Sequence, residues 1–214
     1  MECSYQYKRL SSLIVCGEES FLGVNLGNIG VCVIFAHTYE ILMKRETPKV
    51  AEQLAGKDKV RILFVCLGNI CRSPAAEGVM RAVVERHGAG KRFELDSAGL
   101  YGGHAGELPD RRMRVHAFQR GYNLTHHSRP VRPSDFDNFD LIVAMDHSNY
   151  DRLCNMAPTL EDEKKVVRMI DFVKGFPQCD CVPDPYYDGA EGFELVLDLL
   201  EDGCVNLYDV LTVK

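Results

Sequence analysis

The sequence predicts an α/β fold, a doubly wound four-stranded parallel sheet flanked by helices, in a single domain with an N-terminal extension. Two observations carry this expectation. From residue 60 onward, short β-branched apolar runs alternate with helical patterns. Such strands joined by crossover helices imply a parallel sheet covered on both faces. With 214 residues the chain is long enough for one full core, and two ordinary domains would be a tight fit.

The elements follow in order. "VRILFVC" (60–66) is a short buried strand, and "SPAAEGVMRAVVERHG" (73–88) is a helix opened by Ser73 and Pro74 and closed by Gly88. "FELDSAG" (93–99) is a second strand ending in a turn. "ELPDRRMRVHAFQRGY" (107–122) is a helix with Pro109 in its first turn and Gly121 past its end. "FDLIVAMD" (139–146) is a third strand, "HSNYDRLCNMA" (147–157) a short helix, and "KVVRMI" (165–170) a fourth strand. The last helix starts near Glu191 and repeats apolar residues at Phe193, Leu195, Val196, Leu199 and Leu200. In such sheets ligands sit beyond the carboxyl ends of the strands, so Cys66, Ser97 and Asp146 should share one rim.

Residues 1–58 are read as the N-terminal extension and 59–214 as the domain, with "GKDK" (56–59) as the linker. The stretch 21–39, "FLGVNLGNIGVCVIFAHTY", carries no formal charge and is about long enough to span a bilayer, but six Gly, Asn and His residues interrupt it. Three readings of 1–42 stand open: Met43 as the true start, a loosely ordered extension, or a membrane anchor. A cleaved signal peptide is not expected. Membrane contact is expected only through this segment.

A formal net charge of -6 gives no electrostatic footprint for nucleic acid. Nine cysteines, an odd number without repeated spacing, support neither a zinc site nor a disulfide framework. They point to mostly free thiols in a reducing, cytoplasmic compartment.

The chemistry concentrates in "CLGNICRS" (66–73), where the first strand passes into a helix N-terminus. Backbone N–H groups converge there, and the helix dipole adds positive charge, which suits a tetrahedral oxyanion. Gly68 permits the tight turn, and Asn69 tolerates a left-handed backbone and can bridge neighbouring segments. Leu67, Ile70 and Cys71 complete the loop. Arg72 offers a planar fork for two phosphate oxygens. The same positive environment favours the thiolate form of Cys66, and Ser73 is placed to donate a hydroxyl hydrogen bond to its sulfur. The expected reaction is in-line attack on phosphorus, a phosphocysteine intermediate and hydrolysis by water, without metal or cofactor. In "VPDPYYDG" (182–189), Asp184 sits between two stiffening prolines as the candidate general acid, and Tyr186 and Tyr187 can wall an aromatic pocket.

"VCLGNICRSPAAEG" together with "DPYYDGAEGFE" resembles the low-molecular-weight protein tyrosine phosphatases, from about residue 60 to the C-terminus. The resemblance implies a metal-independent hydrolase acting on tyrosine-phosphorylated proteins. By position it implies Cys66 as nucleophile, Arg72 as phosphate-binding arginine, Ser73 as thiolate partner and Asp184 as general acid. It further implies Asn69, Ser97 and His126 as supports of the loop, and Cys71 as a thiol that can pair with the nucleophile on oxidation. One departure stands out. The family usually has a Trp or Tyr as a cleft wall where this chain has Gly103, so either Tyr101 swings in as a substitute or the pocket is more open.

Two neighbouring chemistries fit less well. A thiol-dependent arsenate reductase would need two relay cysteines beyond the third strand, where this chain has Cys154 alone. Arginine phosphatases of the same fold resemble this loop but carry a small hydroxyl residue at the place of Ile70, and the bulkier Ile70 favours phosphotyrosine. Tyr186 and Tyr187 are also candidate phosphorylation sites. Cys179 and Cys181 have no functional account from sequence.

Overall fold

The computed structural model describes residues 48–212. The apolar stretch 21–39 and Met43 therefore lie outside the described residues. The chain runs α1 (Lys49–Gln53), β1 (Val60–Cys66), α2 (Arg72–Arg86), β2 (Phe93–Gly99), α3 (Arg111–Gln119), α4 (Asp135–Asn138), β3 (Leu141–Ala144), α5 (His147–Met156), α6 (Leu160–Glu163), β4 (Val166–Arg168) and α7 (Ala190–Thr212). Single 3-10 turns at Gly102–His104, Met169–Phe172 and Pro185–Tyr187 complete it.

The four strands form one parallel sheet in the order β2-β1-β3-β4. β1 is central and pairs Val60 with Phe93 on one side and Ile62 with Leu141 on the other. Side chains alternate across a strand, and β1 divides accordingly. Ile62, Phe64 and Cys66 join the larger core, which contains α2 and α7, while Leu63 and Val65 join the smaller core around Phe136, Ile142 and Leu153. This parity places the Cys66 side chain on the face where α2 begins.

α7 buries Phe193, Val196, Leu197, Leu200, Cys204, Leu207 and Leu211 along one stripe against α2 and the sheet. Part of the stretch assigned to the extension is packed on the domain. Ala51 is fully buried in the larger core, and the Arg92 guanidinium donates to the carbonyls of Ala55 (2.5 Å) and Leu211 (2.6 Å), tying the α1–β1 connection to the end of α7.

Several boundaries differ from expectation by a few residues, and two of them have a visible cause. α3 begins at Arg111, after Pro109, because the Asp110 side chain caps it by accepting from the Arg112 N–H at 2.8 Å. β4 stops at Arg168 because the Asp171 carboxylate accepts the Arg168 N–H and folds the following residues into a 3-10 turn. Among the described residues, no helix is long and apolar enough to cross a membrane.

Candidate active site

Residues 66–72 wrap from the end of β1 into α2, and neighbouring segments hold the loop from outside. The carbonyl of Cys66 accepts from Leu100 N–H (3.0 Å), that of Leu67 from Tyr101 N–H (2.8 Å), that of Gly68 from the Ser128 hydroxyl (3.2 Å) and that of Ile70 from Asp110 N–H (2.7 Å). A trans peptide points its N–H opposite to its carbonyl, so outward carbonyls turn the N–H groups of the following residues inward. One of them, Asn69 N–H, donates to Cys66 Sγ at 3.2 Å. Gly99 makes this closeness possible: a Cβ there would lie 2.9 Å from the Leu67 carbonyl oxygen and 3.0 Å from Asn69 Cβ.

Asn69 adopts φ 55°, the left-handed region that asparagine tolerates. Its fully buried amide donates to Ser73 Oγ and to Ser97 Oγ, both at 3.0 Å. Its oxygen accepts from Arg129 N–H at 2.9 Å and bonds the His126 Nε2 at 3.1 Å. The Ser97 hydroxyl donates to Glu77 at 2.9 Å, and Glu77 in turn meets His126 Nδ1 at 3.2 Å and Arg81 at 2.7 Å. Glu77, Asp96 and His126 have metal-like spacing, but the guanidinium groups of Arg81 and Arg129 already pair with the two carboxylates. The cluster acts as a buttress of the loop.

The Cys66 sulfur lies 3.0 Å from Ser73 Oγ. Asn69 N–H donates to this sulfur, and the Ser73 hydroxyl, which also reaches the Ala98 carbonyl at 3.3 Å, is placed to do the same, an arrangement suited to negative charge there. Arg72 is almost fully buried and is held by two carboxylates, Nη1 by Asp146 at 2.6 Å and Nη2 by Asp184 at 2.8 Å. Burial alone would weaken its hold on the proton, but the negative charges of Cys66, Asp184 and Asp146 outweigh burial and raise its pKa. Cys71 is affected in the opposite sense for a nucleophile. Burial, followed by the charges of Asp110, Cys66 and Asp184, pushes its thiol up, so it stays protonated.

The open cleft, about 260 Å³, is lined by Cys66, Leu67, Gly68, Ile70, Cys71 and Arg72 at its base. Tyr101, His104, Asp184, Tyr186 and Tyr187 form its walls. Asn69 and Ser73, expected from sequence among the substrate-binding residues, support the loop from behind and do not line the cleft. Ser97 Oγ and His126 Nε2 both lie within hydrogen-bond distance of the Asn69 side chain. Three contributors escaped sequence reading: His104 on a wall, Asp146 on Arg72 and Glu77 behind Ser97. Asp146 was legible as a residue of the common rim, since it follows β3. Its contact with Arg72 was not, because 74 residues separate them.

A cysteine and an arginine at the two ends of an anion-binding loop, with a carboxyl group across the cleft, form the arrangement that cysteine-dependent phosphate-monoester hydrolysis requires. Comparison with known proteins narrows the class. The family described as low molecular weight phosphotyrosine protein phosphatase matches residues 61–214. A putative low molecular weight protein-tyrosine-phosphatase of Synechocystis is 47% identical over 152 residues, covering 71% of this chain and 96% of the relative. The crystal structure of a protein tyrosine phosphatase from Entamoeba histolytica, with Hepes in its active site, superposes with a TM-score of 0.68 at 47% identity, covering 70% of this chain and 95% of that one. A Drosophila arginine phosphatase superposes with a TM-score of 0.64 at 30% identity, covering 69% and 95%. The chain belongs to the low molecular weight phosphotyrosine protein phosphatase family.

Proposed function

We propose that the protein hydrolyses phosphotyrosine in proteins through a phosphocysteine on Cys66. The observation that carries this reading is the convergence on one sulfur of the Asn69 N–H and the Ser73 hydroxyl, with the Arg72 fork at the other end of the same loop. The names of the related phosphatases support it.

In this mechanism the phosphate dianion takes the loop N–H groups and Arg72, displacing Asp184 from Nη2. The Cys66 thiolate attacks phosphorus in line. The P–O ester bond breaks, and the leaving phenol oxygen takes the proton of Asp184. Water then attacks the phosphocysteine and gives a proton to the Asp184 carboxylate; the P–S bond breaks, releasing phosphate and restoring the thiolate. Ser73 stabilises the sulfur as nucleophile and as leaving group. Asp146 keeps Arg72 oriented throughout.

Ile70 at the base of the cleft and tyrosines on its walls favour a flat aryl ester over a phosphoguanidinium substrate. An arsenate relay finds no support, since Cys154 sits on α5 and is not among the residues lining the cleft. Nine cysteines, an odd number without repeated spacing, support a reducing compartment and a cytoplasmic location.

The test is a pH-rate profile with p-nitrophenyl phosphate, without metal, on wild type, Cys66→Ser and Asp184→Asn. Turnover should vanish in Cys66→Ser, and the limb that reports the general acid should vanish in Asp184→Asn. Turnover that survives Cys66→Ser contradicts the reading, as does thiol-dependent arsenate reduction without phosphatase activity.

A further inference from the structure

The loop after β2 carries an arrangement that the reaction scheme above does not use. Tyr101 is pinned beside the phosphate-binding loop by its own N–H, which donates to the Leu67 carbonyl at 2.8 Å. Its side chain is more than half exposed and lines the cleft. A Cβ added to Gly103 would lie 2.3 Å from Cε1, Cζ and Oη of that ring. The tyrosine ring therefore lies directly against the bare backbone of Gly103, in space that any other residue would fill with its own side chain. The neighbouring glycine is different: a Cβ at Gly102 would meet only Pro130, at an ordinary 3.6 Å. His104 meets the Tyr101 ring edge-on, with centroids 5.9 Å apart and planes at 79°, and is itself held by Glu107 at 2.8 Å. Tyr186 and Tyr187 also line the cleft, packed edge to face with centroids 5.0 Å apart.

We propose that Tyr101 is a specificity-determining wall for the aryl group of the substrate, and that Gly103 is present because the ring occupies the place of its side chain. Sequence position alone puts a glycine where an aromatic wall was expected. The geometry brings an aromatic ring to that same place from two residues upstream. The pair acts as one unit: the tyrosine supplies the surface, and the glycine leaves room for its ring. An aromatic leaving group then has tyrosine rings on the cleft walls and the Cys66 loop at the base. The inference rests on the phosphatase reading and names the pair of residues, Tyr101 and Gly103, that shapes the aryl side of its cleft.

The pairing predicts a pattern across five variants. The readouts are KM and kcat for p-nitrophenyl phosphate, and the inhibition constant of inorganic phosphate, which has no ring. Tyr101→Ala should raise KM roughly two- to tenfold, the value of one aromatic contact, and leave phosphate inhibition unchanged. Tyr101→Phe keeps the ring and should keep the wild-type KM. Gly103→Ala should raise KM by a similar factor by driving the ring out of the cleft, whereas Gly102→Ala should not. In the Tyr101→Ala background, Gly103→Ala should add nothing, because the ring it displaces is already gone.

An active enzyme whose KM is unchanged in Tyr101→Ala would overturn the proposal, as would independent, multiplying effects of the two substitutions in the double variant. A change in phosphate inhibition equal to the change in KM would also overturn it, since that would mean a damaged loop. Wild type without Cys66-dependent turnover removes the phosphatase reading and this proposal with it. Failure of the wall alone leaves the Cys66 chemistry intact.

Discussion

Replacing Asn69 tests how the loop of residues 66–72 is held. Its amide is fully buried and makes four hydrogen bonds, to Ser73, Ser97, His126 and the Arg129 N–H, from a residue at φ 55°. In Asn69→Ala the two serine hydroxyls can turn to other partners, but the Arg129 N–H has no rotor and loses its acceptor. A part-buried donor left in this way costs about 2 kcal/mol. Placing Ala in the left-handed region costs about 1 kcal/mol more. The expected total is about 3 kcal/mol, while Asn69→Gly, which removes the conformational part, should cost about 2 kcal/mol. Urea unfolding reads both. With a slope of about 2 kcal/mol per molar, the midpoint should fall by about 1.5 M for Ala and about 1 M for Gly. Midpoints within about 0.3 M of wild type, or a Gly variant less stable than the Ala variant, would refute the reasoning.

Three further outcomes follow from the same geometry. Gly99→Ala pushes a methyl group onto the Leu67 carbonyl, backbone that cannot swing aside as a side chain can, so it should lower kcat/KM and cost about 1–3 kcal/mol of stability by urea titration. The Asp110 carboxyl is held below its ordinary range, first by the Arg112 side chain that bonds it. The stability this adds is present above the unfolded-chain value of 3.8 and is lost as pH falls through the lower folded-state value. Asp110→Asn keeps a helix cap but does not titrate, so its Tm deficit at pH 7 should shrink progressively as pH falls below 3.8; a deficit that persists unchanged in acid would contradict this. Hydrogen peroxide should oxidise the Cys66 sulfur first, because the Cys71 thiol stays protonated. Attack by Cys71 on the resulting sulfenic acid would expel water and close a disulfide, so thiol should restore activity in wild type and fail to do so after the same exposure in Cys71→Ser.

The parts of the site that were legible in sequence are those whose chemistry is local. β1 and the loop after it lie within fourteen residues, 60–73, where apolar run, turn residues and helix start adjoin in the chain. Asn69 and Ser73 were legible from the loop itself, whereas the supporting roles of Ser97 and His126 came only through resemblance, since their bonds to Asn69 join three separate segments. The hold of Asp146 on Arg72 was illegible, because it depends on the register that sets β3 beside β1. Tyr101 shows the limit most clearly. Position by position the chain lacks its wall at Gly103, whereas in three dimensions the ring arrives there from a neighbouring position. The start of α3 was misplaced for a similar reason: Pro109 suits a first turn, but Asp110 is anchored to the Ile70 carbonyl and caps the helix one residue later.

The most direct test of the central claim is a rapid-quench experiment with an aryl phosphate, followed by peptide mass spectrometry of the trapped protein. The account predicts one phosphoryl group on the peptide that contains Cys66, formed and lost at rates compatible with turnover, and no label in Cys66→Ser. Turnover without any phosphorylated Cys66 peptide, or with the label on another residue, would contradict it.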